Sequence, residues 1–257
     1  MSDNSSDKVI SISRLRQACR NCSLRDLCLP MGLSNEDLQR LEGLVGSRGP
    51  LRRGDHLFRE GDGFHAIYAV RYGALKTYTI DDEGREHVLG FHMAGELAGL
   101  DAIYPAEHAC SAQALQATSV CAVPFARLES LARDISGLQI HLLRVLSKEL
   151  GATAHLAADH TAEQRLAGFL YSLSRRLGLR GYSERELHLF MPRRDIASHL
   201  RLATETVSRL LARFQQQGLI KVSRKHIELL DPEALRHLGG AMAGAGPEAA
   251  ERCRGDL

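Results

Sequence analysis

The region between residues 50 and 125 contains the feature that most constrains the fold. Short runs of alternating, β-branched and aromatic residues follow one another there, at residues 65–72, 74–80 and 87–92. Glycines separate the runs at turn-like intervals, at positions 54, 61, 73, 84, 95 and 99. Regular short strands with glycine turns are typical of a β-barrel or jelly roll. We therefore predict a β-barrel domain over residues 31–125.

A long helix is predicted after the barrel, over residues 126–160. Mostly apolar residues recur there at alternating steps of four and three, which is the spacing of a heptad seam. The seam consists of Leu138, Leu142, Val145, Glu149, Ala152 and Leu156. A second stripe beside it, formed by Leu143, Leu146 and Leu150, is expected to face the barrel. Two apolar stripes on one helix need two partners, so we predict that the seam pairs with a second copy of the chain. The alternative is a helix that packs only on its own subunit.

The pattern of residues 161–238 predicts a winged helix-turn-helix. Two helices, at residues 193–200 and 204–217, are joined by a tight turn and followed by a hairpin. This section has a net charge of +6, whereas residues 1–160 have a net charge of −3. A basic module behind a mildly acidic one suits a nucleic-acid reader attached to a sensor. The Gly/Ala-rich residues 239–257 are predicted to form a disordered tail.

The second of these helices has two distinct faces. Its apolar face, expected to be buried, is formed by Val207, Leu210, Leu211 and Phe214. Its opposite face carries, near the N-terminus, Thr204, Glu205, Ser208 and Arg209. In a major groove, Arg209 would bind guanine and Glu205 would accept from the amino group of cytosine. The alternative is an exposed Glu–Arg pair at i, i+4 spacing, worth only tenths of a kcal/mol.

Residues 193–220, RRDIASHLRLATETVSRLLARFQQQGLI, resemble the helix-turn-helix of the FNR/CRP regulator superfamily. The order of barrel, long helix and winged helix-turn-helix matches that family over nearly the whole chain. The resemblance implies an α+β fold with an N-terminal double-stranded β-helix, a jelly-roll barrel like that of cyclic-nucleotide-binding domains, and a dimerisation helix. It also implies a palindromic operator with TTGAT-type half-sites. Arg201 is a departure, because the turn often carries glycine there, and a positive φ would cost about 1 kcal/mol.

Three cysteines lie close together in residues 1–30, in the segment CRNCSLRDLC. Cys19, Cys22 and Cys28 can converge on one metal centre if a fourth ligand comes from elsewhere. Their spacing leaves open an iron–sulfur cluster, a structural zinc site or a thiol–disulfide switch. Residues 1–8 are polar and show no signal-peptide or membrane-span pattern, so we expect a cytoplasmic protein with reduced cysteines and no membrane partner.

The cysteine segment also resembles the oxygen-sensing FNR branch of the superfamily, as does the second segment TSVCAVPF. The two matches together imply a 4Fe–4S cluster held by Cys19, Cys22, Cys28 and Cys121, whereas Cys110 and Cys253 match no ligand of the family. Arg20 and Arg25 are expected to stabilise the cluster's negative charge. The implied function is that of a transcription regulator. Without oxygen, the cluster promotes dimerisation and DNA binding; oxygen destroys the cluster and the protein releases DNA. An apolar cover is expected from Leu24, Leu27, Leu29 and Pro30.

Other effectors and activities have less support in the sequence. Gly95-Glu96-Leu97 matches a motif of cyclic-nucleotide-binding relatives, but Cys110 stands where their phosphate-binding arginine would be, so no cyclic nucleotide is expected. We find no paired carboxylates, nucleophile–base pair or phosphate-binding glycine loop, and we predict that the chain is not an enzyme. The turn at residues 81–85 corresponds to a surface that the family offers to RNA polymerase. The main rival is an FNR/CRP-type DNA-binding regulator with structural zinc or a thiol switch and a different effector.

Overall fold

The computed structural model describes residues 19–240, and the N-terminal half of these residues forms a jelly-roll barrel. A short helix, α1 (Asn35–Glu42), precedes it. Its strands are β1 (Gly46–Leu51), β2 (His56–Phe58), β3 (Ala66–Tyr72), β4 (Ala74–Ile80), β5 (Glu86–Met93), β6 (Leu97–Ala98), β7 (Ser111–Ala114) and β8 (Thr118–Pro124). They form two antiparallel sheets in the orders β1-β8-β3-β6 and β2-β7-β4-β5. The predicted barrel is confirmed.

The turn between β3 and β4 shows why glycine punctuates the strands. Gly73 has a φ of +86°, and a Cβ there would lie 2.4 Å from the carbonyl oxygen of Ala117. A side chain is therefore excluded both by the left-handed backbone and by the facing strand connection. Thr118 secures the same crossing, since its hydroxyl donates to the Ala74 carbonyl oxygen and accepts from the Ala74 amide, both at 3.1 Å.

Residues 126–160, predicted as one helix, lie mainly in two helices, α2 (Phe125–Asp134) and α3 (Ser136–Ala157). The break occurs at Ile135, whose backbone is extended and whose side chain is buried against the barrel. Burial of that side chain redirects the chain between the two helices. Arg165 then closes the C-terminal end of α3 by donating to the carbonyl oxygens of Leu156, Ala158 and His160.

The C-terminal unit is a winged helix-turn-helix, as predicted. Its elements are α4 (Ala162–Gly178), β9 (Glu186–His188), α5 (Arg193–Leu200), α6 (Thr204–Gln216), β10 (Ile220–Ser223), β11 (His226–Leu229) and α7 (Pro232–Gly239). The three strands pair in the order β10-β11-β9. Helix α7 was not predicted, although Asp231 caps it and Pro232 begins it, which is a recognisable start signal. The predicted tail 239–257 lies outside the described residues from 241 onward, as does Cys253.

The barrel and the C-terminal unit share one apolar core. Tyr78, Val88 and Phe91 of the barrel belong to the same buried cluster as Phe169 and Leu200 of the C-terminal unit. Ser198 of α5 joins the two at the sheet edge, since its hydroxyl donates to the Glu86 carbonyl oxygen and accepts from the Val88 amide, both at 2.9 Å. The unit is therefore packed firmly on its own barrel. Within residues 19–240, none of the helices has the length and apolarity needed to cross a membrane.

Candidate metal centre and nucleic-acid interface

The cysteine segment forms two tight turns in front of α1. Cys19–Asn21 and Arg25–Leu27 are short 3-10 turns, and the amide of Cys22 donates to the Cys19 carbonyl oxygen at 3.2 Å. Glu42 at the end of α1 anchors the segment by accepting from the Arg20 amide at 2.7 Å. Leu29 is buried in the apolar cluster of the barrel and α2. These contacts hold the segment against the barrel.

The fourth candidate ligand comes from the barrel wall. Cys121 lies on β8, opposite Ala69 of β3 and Ser47 of β1. Cys19, Cys22, Cys28 and Cys121 are all free thiols with partial exposure. Burial raises the pKa of Cys19 to about 11, and negative charge on Cys121 and Cys22 contributes to that rise. The structure therefore brings the sequence-distant Cys121 into the electrostatic neighbourhood of the cysteine segment.

The donor set suits a thiolate-bound centre. The pKa of Cys28 is raised to about 12, mainly by burial; the Leu29 backbone opposes the rise and the neighbouring thiols add to it. Deprotonating four thiols here therefore requires a compensating cation, and thiolates are the ligands that zinc and iron–sulfur clusters prefer. No three His, Cys, Asp or Glu side chains of residues 19–240 are already arranged to hold a metal ion.

Both arginines of the cysteine segment form ion pairs, and the prediction that they stabilise a cluster's charge stays a prediction. Arg20 forms an ion pair with Glu42, at 3.5 Å, and Arg25 forms one with Asp26, at 3.4 Å. Burial raises the pKa of Cys121, whereas the nearby charge of Arg71 lowers it. Arg71 is a cation that sequence reasoning missed, since it is fifty residues from the thiol along the chain but lies on the neighbouring strand β3.

The cysteine segment also contacts α3. His141 of α3 is buried, and its pKa is lowered by burial and by Arg144 while the backbone of Cys28 raises it. A Cβ on Gly137, in the first turn of α3, would lie 3.8 Å from Cδ2 of Leu33. The segment that carries three thiols therefore packs directly on the N-terminal half of the long helix.

The first residue of the predicted seam of α3 is buried within its own subunit. Leu138 is fully buried in the cluster of its own barrel, and Leu142 and Val145 pack against that cluster. The prediction that Leu138 contacts a second subunit is therefore wrong, because its own subunit already buries that side chain. The other seam residues, Leu142, Val145, Glu149, Ala152 and Leu156, stay predictions. The exposed apolar side chains of α3 are Ile140 at 49%, Leu143 at 60% and Leu150 at 73% exposure.

Helix α6 presents the predicted reading face to solvent. Its apolar side chains Val207, Leu210, Leu211 and Phe214 are buried. Thr204, Glu205 and Arg209 are exposed and Ser208 is half-buried. Within residues 19–240 no ion pair joins Glu205 to Arg209, whose guanidinium instead lies 3.4 Å from Thr206 Oγ1. Arg201 does adopt the left-handed conformation, with φ of 56°. The first turns of α6 thus expose Thr204, Glu205 and Arg209, while Ser208 Oγ accepts from Arg193 at 3.5 Å.

The barrel interior is acidic at the position of the cyclic-phosphate motif. Cys110 is buried, and its thiol donates to Asp101 at 3.4 Å. His108 stacks on the ring of Phe58 with a centroid distance of 3.6 Å. Ser111 Oγ accepts from the amide of Glu60 at 3.1 Å. A carboxylate and a stacked ring pair therefore occupy the region where an anionic phosphate would need a cation.

A jelly-roll barrel packed on a winged helix-turn-helix, with the reading helix exposed, defines a DNA-binding transcription regulator. Two family models match the chain: a cyclic nucleotide-binding domain over residues 49–134 and a Crp-like helix-turn-helix domain over residues 164–238.

Named relatives extend the match over most of the chain. The transcriptional activator protein Anr of Pseudomonas protegens is 45% identical over 225 residues, covering 86% of this chain and 92% of that protein. The fumarate and nitrate reduction regulatory protein of Escherichia coli K12 is 40% identical, covering 86% and 90%. The structure of FixK2 from Bradyrhizobium japonicum aligns with a TM-score of 0.68 and 30% identity, covering 76% and 96%. The chain belongs to the FNR/CRP family of transcription regulators, which are not enzymes.

Proposed function

We propose that the chain is an oxygen-responsive transcription regulator whose 4Fe–4S cluster is held by Cys19, Cys22, Cys28 and Cys121. The observation that supports the proposal is that Cys28 and Cys121 of β8 pack against the same apolar cluster, with Cys19 and Cys28 in electrostatic contact with Cys121. The relatives' names support it, since one is called a fumarate and nitrate reduction regulatory protein. When bound, such a cluster supplies an oxidant-sensitive link between the segment and the barrel wall.

The chain's own residues connect that link to the long helix α3. Cys28 and Leu33 hold the segment against the N-terminal half of α3, next to His141 and Gly137. Ligation that ties the segment to Cys121 would stabilise this half of α3, which also carries Ile140 and Leu143. A few kcal/mol of such stabilisation are enough to move a dimer from mostly absent to mostly present.

Dimerisation is assigned to the exposed face of α3, through Ile140, Leu143 and Leu150, with a second copy of the chain. Two copies are required to read an inverted repeat, because each contributes one recognition helix. We assign residues 31–125 to sensing, 126–160 to dimerisation and 161–238 to DNA binding. The protein is assigned to the cytoplasm. RNA polymerase is the expected partner of the DNA-bound dimer.

DNA reading is assigned to Thr204, Glu205, Ser208 and Arg209. Their exposure on the first turns of α6 supports this role, since those turns contact base edges in helix-turn-helix complexes. Arg209 binds a guanine and Glu205 accepts from a cytosine, as in a TTGAT-type half-site and its complement. The buried opposite face keeps α6 fixed on its own unit while these side chains enter the groove.

The test is the iron, acid-labile sulfide and zinc content of anaerobically purified protein, together with its visible spectrum. Wild type and Cys110→Ser are expected to contain iron and sulfide and to show a broad band that bleaches in air. Cys121→Ser is expected to lack both. Cys110 is the matched control, since its thiol is bound to Asp101 inside the barrel. A colourless wild type with one zinc, or a metal-free one whose thiols oxidise to disulfides, would reject the cluster.

A further inference from the structure

The turn between β5 and β6, formed by Ala94, Gly95 and Glu96, touches the cysteine segment on one side. Gly95 has a φ of +88°, and a Cβ on it would lie 3.1 Å from Cβ of Leu27 and 3.8 Å from Cβ of Leu24. A Cβ contact of 3.1 Å is tighter than most, so a side chain on Gly95 would have to push Leu27 away. The backbone of the turn is therefore packed directly on the leucines that lie between Cys22 and Cys28.

The same turn is bound on its other side by the DNA-binding unit. The Glu96 carboxylate accepts from Nε of Arg176 at 2.9 Å and from Nη2 of Arg180 at 2.8 Å. The carbonyl oxygen of Ala94 accepts from Nε of Arg180 at 2.6 Å. Burial raises the pKa of Glu96, but the two arginines outweigh it and hold that pKa well below its usual range. Charged hydrogen bonds thus tie the turn to the C-terminal end of α4.

The turn is also internally stiff. The Gly95 amide donates to the Val70 carbonyl oxygen at 2.7 Å, and the Val70 amide donates to the Glu96 carbonyl oxygen at 2.9 Å. The Glu96 carboxylate accepts from the Met93 amide at 3.0 Å. A displacement of Gly95 is therefore carried to Glu96 rather than absorbed between them, because the two residues share these bonds to β3 and β5.

We propose that the turn Ala94–Glu96 relays the state of the cysteine segment to α4 of the DNA-binding unit within one subunit. The relay rests on the proposed function, since ligation is what would hold Leu27 against Gly95. Loss of the ligated state frees Leu27, the turn gains freedom, and the bonds from Arg176 and Arg180 loosen. This route acts alongside dimerisation and does not require a second subunit. It also gives the Gly-Glu-Leu motif a role without a bound nucleotide.

The experiment is hydrogen exchange on metal-free and anaerobically reconstituted protein, at a concentration where sedimentation shows monomers in both states. In the wild type, reconstitution should slow exchange of the amides of residues 172–180 by about fivefold or more, the lower end of ordinary couplings between sites. Leu27→Ala should abolish this slowing while retaining iron and sulfide. Glu96→Gln should abolish it as well, from the opposite side of the turn.

Leu33→Ala is the matched control, because Leu33 is a leucine just after the cysteine segment that packs on α3 rather than on Gly95. It should retain the slowing at residues 172–180. If Leu27→Ala keeps the slowing, or Leu33→Ala loses it equally, the relay is wrong. If the wild type binds iron and sulfide without any slowing, the relay alone fails. If the wild type binds no iron and sulfide, the proposed function fails and the relay falls with it.

Discussion

Replacing Leu150 with alanine should weaken association of two subunits without weakening the subunit itself. The Leu150 side chain is 73% exposed on α3, so its own chain buries little of it. Full burial of a leucine stabilises by about 1.5–3 kcal/mol, and a symmetric dimer buries two copies. The expected loss is about 2–4 kcal/mol per dimer, which raises the dimer dissociation constant between about 30-fold and about 1,000-fold.

The assay is sedimentation equilibrium under nitrogen across a range of protein concentrations, paired with urea unfolding of each variant. Leu138→Ala is the control from the same helix. Because Leu138 is fully buried in its own barrel, it should lose about 2–5 kcal/mol of unfolding free energy. An unchanged dissociation constant for Leu150→Ala would refute the assignment of the exposed face. A larger effect on association from folded Leu138→Ala would restore the seam expected from the heptad spacing.

Three further predictions concern the DNA-binding unit. Arg209→Ala should cost about 1–3 kcal/mol of binding free energy on the cognate operator and relax base preference there. Arg213→Ala, on the same helix, should leave base preference intact. An equal loss of affinity across all DNA sequences would mark Arg209 as a phosphate contact. Burial lowers the pKa of His199 from 6.5 to about 4, so His199 stays neutral in the folded protein above pH 4. As the pH drops from 6.5 to 4, the free energy of unfolding should therefore fall by about 1.4 kcal/mol per pH unit. His199→Phe should flatten that slope in urea melts at each pH, and an identical slope would contradict it. Ser198→Ala removes two hydrogen bonds to β5 and should lower the free energy of unfolding by about 1–3 kcal/mol. Hydrogen exchange at the Val88 amide should become faster. Unchanged exchange there would show that other contacts hold the two units together.

The barrel and the winged helix-turn-helix were predictable because each has a local signature. Alternation and glycine turns specify the strands, and the face formed by Val207, Leu210, Leu211 and Phe214 specifies how α6 packs. The exposure of Glu205 and Arg209 follows from that packing. These features depend on residues that are close in the sequence, so the periodicity of the sequence is enough to predict them.

The orientation of α3 was not predictable from periodicity. Both of its stripes are apolar, and spacing does not say whether a stripe meets its own barrel or a second copy. Leu138 belongs to the same buried cluster as Ile67 and Val123 of the barrel, which lie far from it in the sequence. Arg71 beside Cys121, and Gly95 against Leu27, were missed for a related reason. Each contact joins residues far apart in the chain and leaves no local pattern.

The most direct test measures operator affinity and subunit association on one sample before and after air. A labelled duplex with two inverted TTGAT half-sites is titrated under nitrogen, and the titration is repeated once air has bleached the visible band. Wild-type protein should bind as a dimer under nitrogen and lose both dimer and tight binding in air, while Cys121→Ser should bind weakly throughout. A wild-type dimer that keeps its operator affinity after the band has bleached would contradict the account.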